Sequence, residues 1–247
     1  MQELLWENEF PMLKFTFMDR EATLIFPPDG VARTDKWVLK TEYFDAFPDL
    51  EREMLRCGWH RAHLKARERC GTQKELRIKL AFADYLEETF GLSHRFVPIG
   101  MSCGGLQAVK LAALAPERIS VLYLDAPVIS FMSWPFNLGA YPSIAGEAQQ
   151  KELLLAYGIT RAEFFLTFRD HPYDHIPTLV ENRIPVVMVY GDSDESVPYE
   201  DNGRFLETAY REANIPFHAF CKPGCGHHPH GPSDTAPVVE LLLKYGS

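Results

Sequence analysis

No apolar run in this 247-residue chain is long enough to cross a bilayer, and its acidic first ten residues carry no signal-peptide pattern. A cytoplasmic location with no membrane partner is therefore expected. Basic residues are the minority, 25 against 34 acidic ones, for a formal net charge of −9. Such a surface repels a phosphate backbone, so nucleic acid is not an expected partner. Cysteine is scarce: Cys57, Cys70, Cys103, Cys221 and Cys225 are odd in number and scattered. That argues for free thiols rather than a disulfide framework. A phosphate-binding loop, a dinucleotide fingerprint and a paired metal-carboxylate motif are also missing, so no cofactor is expected.

What is present is ordinary globular composition, 46% apolar and 24% charged, in a length that suits one large domain. Alternation predicts strands at 14–18 and 21–26, an antiparallel edge hairpin. Further strands follow at 37–40 and 59–65, then one ending at Gly100, and others at 120–124, 184–190 and 217–221. Helices are predicted at 49–56, 106–115, 202–213 and 237–244. Thr72-Gln73-Lys74-Glu75 reads as a capping box that opens a helix reaching Phe90 and closed by Gly91. Strands alternating with helices predict an α/β fold: a mostly parallel, eight-stranded sheet with helices on both faces. Residues 128–183 break that pattern and are punctuated by aromatics. The stretch is too long for a plain loop. It is expected to form a small helical cap inserted in a single domain spanning 1–247.

The chain is organised around Gly100-Met101-Ser102-Cys103-Gly104-Gly105, where an apolar run meets an Ala- and Leu-rich helix. A serine at such a turn is strained, and Gly100 and Gly104 lack the side chains that would obstruct it. Its hydroxyl is lifted above the sheet, over a helix N-terminus with free N–H groups. Just past the next-to-last strand stands Gly191-Asp192-Ser193-Asp194, and past the last one Gly226-His227-His228-Pro229-His230-Gly231. Ser, Asp and His therefore come in that order, each at the C-terminal end of a strand, where catalytic groups gather in such sheets. A serine hydroxyl needs an imidazole to take its proton, and the imidazole needs a carboxylate to fix its tautomer. Asp194, Asp192 and Asp125 all remain open as that carboxylate. His227 is the leading base, with His228 and His230 as its rivals.

These motifs, with Glu42-Tyr43-Phe44, Asp125-Ala126-Pro127-Val128 and Ser133-Trp134-Pro135, resemble those of the α/β-hydrolase superfamily. The closer likeness is to its bacterial single-domain serine hydrolases. The resemblance covers nearly the whole chain and implies an α/β-hydrolase fold, with Ser102 as nucleophile, Asp194 as acid and His227 as base. It implies an oxyanion hole built from the backbone N–H of Cys103 and a second N–H after the third strand. Many relatives carry His-Gly-Gly there. Here Thr41-Glu42-Tyr43-Phe44 takes its place, so Tyr43 is the expected donor with Glu42 behind it. Glu42 is expected either to order this loop through a basic residue or to accept a hydrogen bond from substrate. Trp134 and Phe136 are expected to wall the substrate pocket. The Cys103 thiol should pack inward, and His60 and His63 should be structural. Cys221, Cys225, His227, His228 and His230 are zinc-ligating types, yet their spacing matches no familiar finger, and no metal is expected. The implied activity is hydrolysis of a small carboxylic ester through an acyl-enzyme, with an acylated sugar among the candidates. The alternatives are a serine peptidase or amidase of prolyl-oligopeptidase-like type, and a non-catalytic binding protein on the same fold.

Overall fold

The computed structural model describes residues 2–246. It contains one sheet of nine strands: β1 (Gln2–Trp6), β2 (Phe10–Phe17), β3 (Arg20–Ile25), β4 (Trp37–Lys40), β5 (His60–Leu64), β6 (Val97–Met101), β7 (Leu122–Asp125), β8 (Val186–Gly191) and β9 (Phe217–Lys222). Their spatial order is β1-β2-β3-β5-β4-β6-β7-β8-β9. Pairings from β1 to β5 through β2 and β3 are antiparallel; the other five are parallel.

The central strands are buried on both faces, and their period of two sorts residues between two cores. Leu39, Leu122, Leu124, Val186 and Met188 enter one core, which is completed by α2 (Gln73–Phe90), α3 (Cys103–Leu114) and α7 (Gly203–Glu212). Val38, Tyr123, Val187 and Val189 enter the other, against α1 (Asp49–Arg56) and α8 (Ala236–Gly246). Between β7 and β8 lie α4 (Glu147–Tyr157), α5 (Arg161–Thr167) and α6 (Ile176–Glu181). Phe131, Phe136, Phe164 and Phe168 from this segment share a third core with Cys103 and Leu106 of α3. Among the described residues no helix is long and apolar enough to cross a membrane.

The expected eight strands are corrected to nine. The addition, β1, has four of its five residues exposed, so no buried alternation marks it in the sequence. It is held by the hairpin to β2, in which Glu7 and Asn8 both take positive φ, and by Trp6, which is 6% exposed. The capping box is also corrected. Thr72 does accept from the Glu75 amide, but Glu75 sends its carboxylate to Arg20 at 2.6 and 2.7 Å. Glu68 takes over the reciprocal task, accepting from the Thr72 amide at 3.0 Å.

Candidate active site

β6 delivers the chain to Ser102 at φ 51°, ψ −120°, and α3 begins at the next residue. A non-glycine residue with such backbone angles persists only where its surroundings hold it. Here they do: the Ser102 amide donates to the Asp125 carbonyl at 2.9 Å, and its carbonyl accepts from Gly105 (2.9 Å) and Val128 (3.1 Å). A Cβ on Gly100 would lie 2.6 Å from the Gly104 carbonyl oxygen, and one on Gly104 would lie 2.9 Å from Thr41 Oγ1. Gly105, the last residue of the motif, is pressed against Pro127: a Cβ there would lie 2.4 Å from Pro127 Cβ.

Three side chains from three strand ends meet above this turn. Ser102 Oγ is 3.0 Å from His227 Nε2, and His227 Nδ1 is 2.7 Å from Asp194 Oδ2. The other Asp194 oxygen accepts from the Ser196 and Val197 amides, both at 2.8 Å, which fixes the carboxylate. An ionised carboxylate only accepts, so Nδ1 carries the proton and Nε2 presents its lone pair to the hydroxyl.

The other candidates have different partners. Asp192 accepts from the Gly224 amide at 2.7 Å and ties the two loops together. Asp125 faces His230, with Nδ1 at 2.9 Å, and also accepts from the Gly231 amide. A second, buried His–Asp pair thus lies beside the first, and the rings of His227 and His230 are 4.8 Å apart edge to face. The His228 ring is 5.0 Å from each. Cys221 is exposed on β9, and the Cys225 thiol contacts the His228 carbonyl at 3.7 Å, so neither thiol joins the ring cluster.

A cavity of 350 Å³ opens over Ser102, walled by Tyr43, Phe47, Arg69, Trp134, Val197 and the histidine loop. Trp134 lines it, but Phe136 does not: it is 3% exposed and stacked on Phe164 at 4.1 Å. Glu42 does not line it either, because its carboxylate accepts from Gln107 Nε2 at 2.9 Å, toward α3. Cys103 and Tyr43 both border the cavity, Tyr43 with φ 57°. Among the described residues neither amide has a protein acceptor, which leaves both donors available. The Cys103 side chain is buried in the third core, and burial pushes its thiol up to about 11, so it stays protonated and inert.

Arg69, in the loop before α2, was not anticipated. It grips Glu152 of α4 at 2.8 and 3.0 Å, lies 5.7 Å over the Trp134 ring, and reaches the Tyr43 hydroxyl at 3.4 Å. The only signal was a cation in a loop that the sheet brings to its functional end. His60 and His63 are buried away from the cavity. His63 donates through Nδ1 to the Lys40 carbonyl at 2.9 Å, and burial, helped by the Lys79 charge, holds its pKa down to about 3.

No protein-family profile matches the chain, and no curated protein matches it in sequence. Solved structures do match in three dimensions. Porphyromonas gingivalis dipeptidyl peptidase 4 superposes with a TM-score of 0.72 at 15% identity, over 96% of this chain and 36% of that one. A puromycin hydrolase gives 0.68 at 19% identity, over 95% and 38%. The Pyrococcus horikoshii acylaminoacyl peptidase gives 0.65 at 12% identity, over 89% and 37%. The chain spans little more than a third of the length of these structures. With its elbow after β6 and its likeness to these structures over most of its length, the chain has the α/β-hydrolase fold.

Proposed function

We propose that this chain is a serine hydrolase that splits an acyl bond through an acyl-enzyme. The observation that carries the reading is the unbroken relay from Ser102 Oγ to His227 Nε2 and from His227 Nδ1 to Asp194. Ser102 Oγ attacks the carbonyl carbon as its proton passes to His227 Nε2, and Asp194 stabilises the imidazolium that forms. The carbonyl oxygen takes the negative charge, and the Cys103 and Tyr43 amides are the donors for it. Collapse of this intermediate breaks the bond to the leaving group, which takes the proton from Nε2. Water then attacks the acyl-enzyme with His227 again as base, and Ser102 is regenerated.

The scissile bond is read as an amide or peptide bond. The support is the set of structural neighbours, named as peptidases and as a puromycin hydrolase. This puts the peptidase reading ahead of the small carboxylic ester that the motifs first suggested. A 350 Å³ cavity is at the small end for ligand sites, about 300–1,000 Å³, and suits a short acyl group. In this reading residues 128–183 are a cap over the sheet, contributing Trp134 to the pocket wall, and the chain is a single hydrolase domain.

A fluorophosphonate probe tests the nucleophile: label on the wild type and none on Ser102→Ala is the expected result. Equal labelling of both would reject the reading. Aminoacyl anilides measured beside p-nitrophenyl esters of matched acyl group test the bond. The amide reading fails if only the esters turn over.

A further inference from the structure

The loop after β9 holds more imidazole than a hydrolytic relay uses. His227 and His230 each have Nδ1 on a carboxylate, at 2.7 and 2.9 Å, and those Asp194 and Asp125 side chains are only 2% and 3% exposed. With both Nδ1 atoms committed, the Nε2 atoms carry the lone pairs. The exposed His228 ring stacks on Phe47 with centroids 5.8 Å apart. One nitrogen from each of the three rings lies within 4.8 Å of the other two.

We propose that His227, His228 and His230 form a binding site for a borderline-soft divalent cation, of which zinc is the best fit, and that its occupancy switches the hydrolase off. The second half rests on the reading of Ser102 and His227 given under Proposed function; the first does not. Zinc takes neutral imidazole nitrogens at about 2.0–2.1 Å in tetrahedral array, which sets them about 3.3 Å apart. The rings must therefore close by up to about 1.5 Å, and of the three only His228 is exposed. A carboxylate behind a ligating imidazole fixes its tautomer and raises its basicity. Two of the three rings already have one. The two buried carboxylates also supply the negative charge that a divalent cation needs, and the fourth position is left to water. Because Nδ1 of His227 is taken by Asp194, a metal on this ring must use Nε2. That is the lone pair that accepts the Ser102 proton, so metal binding and general-base action exclude one another.

The test uses the untagged full chain. Zinc is titrated in competition with a chromophoric chelator on the wild type, Ser102→Ala, His228→Gln and His230→Gln. The rate of fluorophosphonate labelling is followed with zinc and again after EDTA. One zinc should bind the wild type and Ser102→Ala alike, and each histidine variant should bind about 10-fold or more weakly. Labelling should slow in step with occupancy and recover with EDTA. A Ser102→Ala protein that binds no zinc, or histidine variants with unchanged affinity, would overturn the site. Zinc bound with the labelling rate unaltered would overturn the inhibition. If the metal-free wild type takes no label, it is the hydrolase reading that has failed, and the chelator titration still decides the site.

Discussion

His230 Nδ1 sits 2.9 Å from Asp125 Oδ1, so the aspartate that ends β7 holds a different histidine from the one facing Ser102. This second pair has the geometry of a brace. It fixes the loop that carries His227 to the sheet, with Gly231 donating to the same carboxylate. Removing one member leaves a buried polar partner unmatched, at a cost of about 1–3 kcal/mol. Asp125→Ala should lower the urea midpoint accordingly and reduce kcat more than it raises KM. An Asp125→Ala protein as stable as the wild type would show that the pair braces nothing.

Asp194 and Asp192 are two residues apart, but only Asp194 reaches His227. Replacing a carboxylate in this position by an amide leaves imidazole geometry intact while favouring the wrong tautomer, a loss of about 10⁴-fold in serine proteases. Asp194→Asn should therefore lose about 10⁴-fold in kcat by the same rule. Asp192→Asn keeps an oxygen acceptor for the Gly224 amide and loses only the charge on that bond, so it should lose less than about tenfold. Similar losses in the two variants would overturn the assignment of the acid.

His63 makes stability depend on pH. In the unfolded chain it takes a proton near its ordinary value of 6.5; in the folded protein burial refuses that proton until about pH 3. Between those limits the unfolded state binds more protons, so stability falls as pH drops through the window, by up to about 1.4 kcal/mol per pH unit. His171 adds in the same direction, since burial holds its pKa down to about 4. Urea midpoints recorded from pH 7 to pH 4 should decline, and the decline should be shallower by one proton in His63→Gln. Parallel slopes in the two proteins would rule out His63 as the source.

The parts legible in the sequence were those whose causes are local. β4 and α1 were read to the residue because both lie in short apolar or amphipathic runs bounded by turn residues. The Ser102 turn was legible because its strained backbone demands glycines at fixed positions. Other features depend on partners far along the chain. Asp125 meets His230 across 105 residues, and no spacing rule reports that pairing. Trp134 and Phe136 are two residues apart in a segment without helical or strand period, so nothing local told which ring faces the cavity and which the core. β1 was missed because an exposed edge strand shows no burial pattern. Glu42 adjoins Tyr43 in the chain, but its carboxylate accepts from Gln107 of α3, a partner 65 residues away, and does not line the cavity.

Gly100 offers the sharpest test of how backbone packing supports the Ser102 turn. An added Cβ would come within 2.6 Å of the Gly104 carbonyl oxygen and 2.7 Å of Gly105 Cα. Both are main-chain atoms in the first turn of α3, so neither can swing aside as a side chain would. The methyl is accommodated only if α3 shifts relative to β6, and Ser102 is the residue that joins them. Overpacking of this kind costs about 1–3 kcal/mol, and here the strain falls on the hydroxyl's position. Gly91 serves as the control: its φ of 67° strains an alanine, yet nothing lies within 4 Å of its Cβ position. Gly91→Ala should lose about 1–2 kcal/mol, because an L-residue is forced into the left-handed region at the helix end, and should label with fluorophosphonate at the wild-type rate. Gly100→Ala should lose most of its labelling even under conditions where circular dichroism shows it folded. A folded Gly100→Ala protein that labels normally would mean that the Ser102 turn tolerates displacement and that close packing beneath it does not set the position of the Ser102 hydroxyl.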